Sequence, residues 1–82
     1  MYKIVITRRA LKDLKNIDSE TKKRIAIKLK EYAREPFKHA RKLSNHKIGG
    51  YRFRIGDYRV IFDVDGDNIV VLRIGHRKSI YR

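Results

Sequence analysis

The sequence has no cysteine, which excludes disulfides and thiolate metal sites and agrees with a reducing cytoplasm. No apolar window approaches the ~18 residues that a membrane span needs. Met1-Tyr2-Lys3 leads straight into a strand-like segment, without the positive-then-apolar layout of a signal peptide. There is no internal repeat, low-complexity run or linker. His39 and His46 stand too far apart, with too few companions, to form a metal site. These absences point to a soluble cytoplasmic protein that uses neither metal nor cofactor. Its 82 residues can close one core only, so a single domain over 1–82 is expected. A chain this short buries roughly 60% of its unfolded surface, so a partner that buries more would matter.

Carboxylates are scarce as well: 9 Asp and Glu stand against 22 Lys and Arg, giving +13 and a pI near 10.4. Such a charge repels itself in the folded state, and a soluble protein that carries it commonly meets a polyanion. Nucleic acid is the first expectation. Residues 1–50 hold 15 of the cations and 5 of the acids. In the second half, Asp57, Asp63, Asp65 and Asp67 sit at or beside turn signals, which leaves the other end of those strands basic.

Tyr2, Ile4 and Ile6 alternate with Lys3 and Val5, the two-residue period of a half-buried strand. Thr7 can cap a short helix that keeps Ala10, Leu14 and Ile17 to one side. Asp18 or Ser19 caps a second, longer helix that ends before Pro36. There Ile25, Leu29, Tyr32 and Ala33 share a face, and Lys22, Lys23, Lys28, Lys30 and Arg34 largely fill the rest. A loop is expected from Pro36 to Gly50, containing His39, Arg41, Lys42, His46 and Lys47. Loops of that length are more often functional than short ones.

From Tyr51 the period returns to two. Tyr51, Phe53 and Ile55 alternate with Arg52 and Arg54; Gly56-Asp57 makes a two-residue hairpin turn; Tyr58, Val60, Phe62 and Val64 alternate with Arg59, Ile61 and Asp63. This register sets residue 55 against 58 and Arg54 directly against Arg59. Two like charges so placed destabilise a sheet, unless an anion such as a phosphate lies between them. The facing of the next strand, Ile69 to Ile74, depends on the turn at Asp65-Gly66-Asp67. A three-residue loop puts Val70, Leu72 and Ile74 in the core and Arg73 beside Arg59, and a two- or four-residue loop reverses this. The first is expected because it keeps Arg73 out of the core. Gly75 then lets the chain bend, and the tail GHRKSIYR can fold toward the arginine face.

This order of elements, the segment YRFRIGDYRVIF and the ending VLRIGHRKSIYR resemble the RelE group of bacterial and archaeal toxins in the RelE/ParE superfamily, over nearly the entire chain. The helices are generic, whereas an arginine after the hairpin turn joined to a terminal G-H-R-x-x-x-Y is a fairly specific pair. The resemblance implies an α+β fold: an N-terminal strand, two helices packed on one face of a mostly antiparallel four-stranded sheet, and a short C-terminal tail. It implies a toxin of a type II toxin–antitoxin system that acts as a ribosome-dependent endoribonuclease, an mRNA interferase cutting in the decoding site. It also implies silencing by an acidic, RelB-like antitoxin in a hetero-oligomer, with the free toxin monomeric.

Carried over by position, Arg59 and Arg77 match the family's two phosphate-holding arginines, and Tyr81 its base-stacking tyrosine that helps deprotonate the ribose. Arg52 and Arg54 stand where family members carry proton-transferring lysines. Arginine, with a pKa of about 12.5–13.8, is a poor base and a reluctant acid, but its rigid fork suits phosphate oxygens. Arg52, Arg54, Arg59 and Arg77 therefore read as electrostatic clamps. The proton donor is sought in the tail, at His76 or Lys78, because histidine titrates near neutrality. Lys22, Lys23, Lys28, Lys30, Arg41, Lys42 and Lys47 are candidates to grip ribosomal RNA phosphates without sequence choice. The rival class is a ParE-like toxin that binds DNA gyrase, or an inactive relative; a gyrase binder has no chemical reason to gather Arg54, Arg59, Arg77 and Tyr81. An isolated RNA-binding domain would need exposed aromatics between the cations of the sheet, and Tyr51, Phe53, Tyr58 and Phe62 point inward by parity.

Overall fold

The computed structural model describes residues 2–44 and 48–80. In chain order the elements are β1 (Lys3–Ile6), α1 (Arg8–Lys15), α2 (Ser19–Tyr32), α3 (Pro36–His39), β2 (Arg41–Lys42), β3 (Tyr51–Ile55), β4 (Tyr58–Asp65) and β5 (Asn68–His76). They form an α+β fold around one sheet in the order β1-β5-β4-β3-β2. β1 runs parallel to its neighbour β5, and the other strand pairs among the described residues are antiparallel. Among the described residues, no helix is long and apolar enough to cross a membrane.

Both long helices start where the sequence offers a cap. The Thr7 hydroxyl accepts a bond from the Ala10 amide and donates one to the Val71 carbonyl, tying the start of α1 to β5. Asp18 caps α2 by accepting from the Thr21 amide and hydroxyl, satisfying donors that the first turn leaves open. Ile25 and Leu29 of α2 and its C-cap Ala33 are buried in one cluster with Phe53, Ile55, Val60, Phe62 and Val71. Tyr32 lies between the rings of Phe53 and His39. The core thus lies between the helices and one face of the sheet.

Three expectations are corrected. The sheet has five strands rather than four, because the stretch expected as a loop from Pro36 to Gly50 contains α3 and then β2, which pairs Arg41 with Arg52 and Lys42 with Tyr51. The last strand begins at Asn68 and continues to His76. Its facing is neither of the two anticipated patterns. Asp65 pairs with Asn68, so the turn has two residues, Gly66-Asp67, and Ile69 and Val71 enter the core. A bulge then intervenes: Ile61 pairs with Arg73 and Phe62 with Val71, leaving Leu72 as the additional residue. Beyond it Ile74 is again in the core. Arg73 consequently lies opposite Ile61, and it is Gly75 that stands opposite Arg59.

Candidate functional site

The β3–β4 hairpin builds the centre of the site. Gly56 has φ of 59°, and no non-glycine residue among those described has a positive φ, the pattern of a type II′ turn. This tight turn fixes Arg54 directly across from Arg59. Both side chains project from the face opposite the core, together with Arg52 two residues earlier. Arg54 is exposed, whereas Arg59 is only 6% exposed. The Arg59 Nη1 donates to the carbonyls of Gly56 at 3.2 Å and Tyr58 at 3.0 Å, which turns the guanidinium toward the hairpin end. Arg52 is half-buried, and its Nη1 is buried without a hydrogen-bond partner among the described residues.

The tail returns to that same end. The Arg77 amide donates to the Asp57 carbonyl at 2.8 Å, and the Arg77 Nε lies 3.7 Å from the Asp57 carboxylate. A tight turn follows, with Ser79 and Ile80 amides bonded to the His76 carbonyl. The buried Ile80 folds over Gly75: a Cβ on that glycine would stand 2.8 Å from Ile80 Cδ1. Since Gly75 pairs with Arg59, the tail comes down beside the arginine row.

Comparison with known proteins places this arrangement. The model of the family described as ParE toxin of the type II toxin–antitoxin system matches residues 4–81. The chain is 37% identical to Toxin RelE3 of Methanocaldococcus jannaschii, an alignment covering 96% of this chain and 94% of that protein. It is 31% identical to Toxin RelG of Mycobacterium tuberculosis, with 99% and 97% covered. The chain belongs to the RelE-type toxins of the RelE/ParE family. Among solved structures, it is similar to the RelB–RelE antitoxin–toxin complex of Methanococcus jannaschii, with a TM-score of 0.73 at 32% identity, covering 94% of each chain. It is also similar to the toxin–antitoxin complex RelBE2 of Mycobacterium tuberculosis, with a TM-score of 0.80 at 25% identity, covering 93% of this chain and 98% of that one.

The RelE-type toxin thus brings Arg54, Arg59 and Arg77 to one end of the sheet. Tyr81 and Lys47 lie outside the described residues. His76 does not join the arginines. It pairs across the sheet with Tyr58, their rings 5.6 Å apart and edge-on, on the side that the helices cover; Arg59, the next residue after Tyr58, points the other way. Its Nδ1 accepts from the Lys78 amide, and Lys78 itself is exposed.

The cations expected to bind RNA divide between two surfaces. Arg41 shares the arginine face through its pairing with Arg52, while Lys42 pairs with Tyr51 and so faces the other side. The α2 lysines lie across the sheet from the arginines. Lys22 and Lys30 flank an apolar groove of about 370 Å³ floored by Ile4, Ile6, Leu29 and Ile74. Lys28 lies 3.6 Å from Glu31 and over the Tyr32 ring, and Lys23 is exposed.

Sequence reading missed Arg24, whose Nη1 would stand 3.7 Å from a Cβ on Gly56, so a further guanidinium approaches the hairpin turn. In a helix with this many cations nothing local marks it out. Arg73 was misplaced: its Nε bonds to the Asp13 carboxylate at 2.9 Å, and the same oxygen accepts from the Ile74 amide at 2.9 Å.

Proposed function

We propose that this toxin cuts ribosome-bound messenger RNA by attack of a ribose 2′-hydroxyl on the adjacent phosphate. The observation that carries this reading is the cross-strand pair Arg54–Arg59 with Arg77 at the same end of the sheet. In the proposed reaction the 2′ oxygen bonds to phosphorus as its proton leaves, the bond to the 5′ oxygen breaks, and that oxygen takes up a proton. The products are a 2′,3′-cyclic phosphate and a 5′-hydroxyl. Negative charge grows on the non-bridging oxygens, where fixed guanidinium donors are each worth ~10²–10³-fold. Arg54, Arg59 and Arg77 are assigned that role. Proton transfer, worth a further ~10²–10⁴-fold, is assigned to the tail. Tyr81 is preferred to His76, since His76 turns toward Tyr58.

The exposed cations Lys23, Lys42 and Lys78 would bind ribosomal RNA phosphates, giving affinity that falls steeply with salt. The apolar groove rimmed by Lys22 and Lys30 suits an amphipathic acidic helix. Both structural relatives described above are complexes with an antitoxin, so an acidic antitoxin is assigned as the groove's occupant and as the toxin's silencer.

Primer extension on a translated message tests the nuclease reading. Wild type should give new 5′ ends at defined codon positions, and Arg77→Ala and Tyr81→Ala should lose them. Equal cleavage by all three would remove the assigned site. The matching family description, ParE toxin, supplies the second reading, a non-nuclease that binds DNA gyrase. Lost supercoiling with intact messages would establish that alternative.

A further inference from the structure

We infer that Arg41 and Arg52 hold the phosphate next to the scissile one, so that the sheet carries a two-phosphate track for a single RNA strand. The inference deepens the nuclease reading above and rests on it. Arg41 pairs with Arg52, and Arg54 pairs with Arg59. Cross-strand partners share a face, and Arg52 and Arg54 are two residues apart on one strand, so all four side chains leave the sheet on one side. The rows are separated by two residues, about 6.6–6.8 Å, a stride like that between consecutive phosphates of an extended strand.

Neither row is neutralised by the protein through Arg41, Arg52 or Arg54, none of which makes an ion pair among the described residues. The nearby acid, Asp63, already accepts from the Gly50 amide at 2.6 Å. The buried Arg52 Nη1 has no acceptor among the described residues, and a buried donor in that state is penalised until one arrives. A phosphate oxygen supplies it, and Arg41, exposed across the strand pair, closes the fork from the other side. The scissile phosphate cannot do so, because the Arg59 guanidinium is turned away from this row toward the hairpin turn.

The same geometry favours a nucleic acid over an acidic peptide helix. An amphipathic helix needs apolar support, and the exposed large apolar residues Val5, Leu11, Ile27 and Phe37 all lie on β1 or the helices rather than on the arginine face.

A trinucleotide of 2′-O-methyl RNA has two linkages and cannot be cleaved by 2′-oxygen attack, so binding to the intact toxin reads the track without the chemistry. Arg41→Gln, at an exposed position, and Arg52→Gln should each weaken binding about five- to tenfold, the loss of one phosphate contact. Neutralising one linkage as a methylphosphonate should erase the Arg41→Gln penalty, and neutralising the other should erase that of Arg54→Gln. Purely additive penalties, both variants answering to the same linkage, or full binding by Arg41→Gln would overturn the track; the last is also what a row meant for an acidic peptide would give. No bond is cut in this experiment, so its failure and the failure of message cleavage are read separately.

Discussion

Arg54 and Arg59 stand directly opposite each other across the β3–β4 hairpin, on the face that the helices leave uncovered. Opposed like charges cost a sheet a few tenths of a kcal/mol to about 1 kcal/mol. The sequence makes the arrangement unavoidable, because a two-residue Gly-Asp turn leaves the register no freedom. The arginine face is therefore held in place at the expense of stability, the trade expected of the proposed functional site.

Arg54→Gln separates the two effects. Removing one charge should raise stability by up to about 1 kcal/mol, a rise in Tm of about 4–8 °C per kcal/mol for a domain of this size. Message cleavage should fall ~10²-fold or more with the lost donor. Thermal unfolding and primer extension on the same preparation check both. A lower Tm would show that the repulsion is already relieved in the free protein.

Asp13 joins α1 to the part of β5 that β1 does not reach. The parallel pairing ends at Ile6 with Val71, so the Ile74 amide has no strand partner on that side, and the Asp13 carboxylate accepts from it and from Arg73. The carboxylate is largely shielded and Arg73 is less than a third exposed. Asp13→Ala leaves both donors without their acceptor and should cost about 2–3 kcal/mol in denaturant unfolding. Asp13→Asn keeps one acceptor oxygen for the amide and should cost about half as much. An equal loss in the two variants would assign the effect to packing instead.

Much of this fold was legible because local rules coincide. The caps Thr7 and Asp18, the inward face of α2 and the register of β3 with β4 each follow from a few adjacent residues. The missed features depend on information that no short window carries. Gly66-Asp67 repeats the Gly56-Asp57 turn, each glycine with φ of 59°, yet a three-residue loop was expected because it keeps Arg73 out of the core. The bulge at Leu72 reflects packing from outside the strand: Leu72 lies near Ile61 and Gly49 on the uncovered face, and a Cβ on Gly49 would come within 2.9 Å of Leu72 Cδ1. Strand β2 has only two residues and exists because β3 offers an edge. Of the site, Arg54 against Arg59 was readable from parity. The inward turn of His76 was missed because the strand was expected to end at Ile74, whereas it runs on to His76 and keeps the facing of Ile74.

Asp18 gives a pH dependence of known sign. Its carboxyl titrates below the ordinary 3.8, chiefly because the Thr21 hydroxyl and amide bond to the charged form. A group depressed on folding stabilises above its unfolded pKa and loses that contribution as pH falls through the folded value. The Asp18 share is therefore complete above about pH 4 and disappears on further acidification. Asp18→Asn keeps a capping oxygen but cannot titrate, so the stability difference between wild type and variant should shrink below that pH. A difference that stays constant from neutral pH to pH 2 would mean the cap is worth the same with or without its charge.

Gly75 controls the tail through the space it leaves. It pairs with Arg59, and Ile80 occupies the volume where a side chain would begin, with Cδ1 2.8 Å and Cβ 3.6 Å from the position of a Cβ. Gly75→Ala meets only the far end of a flexible side chain and should be mild. Gly75→Val fills the space more completely, must displace Ile80, and with it the adjoining Tyr81. Cleavage should drop at least tenfold, while the global transition moves little because the helix-facing core is untouched. Ile80→Ala opens the space again, so the double variant Gly75→Val with Ile80→Ala should unfold later than the sum of the single effects requires, with a coupling of about 0.5–3 kcal/mol. Strict additivity in that cycle would mean that Ile80 does not pack on Gly75 in solution, and the tail would lose its physical reason for lying beside the arginines.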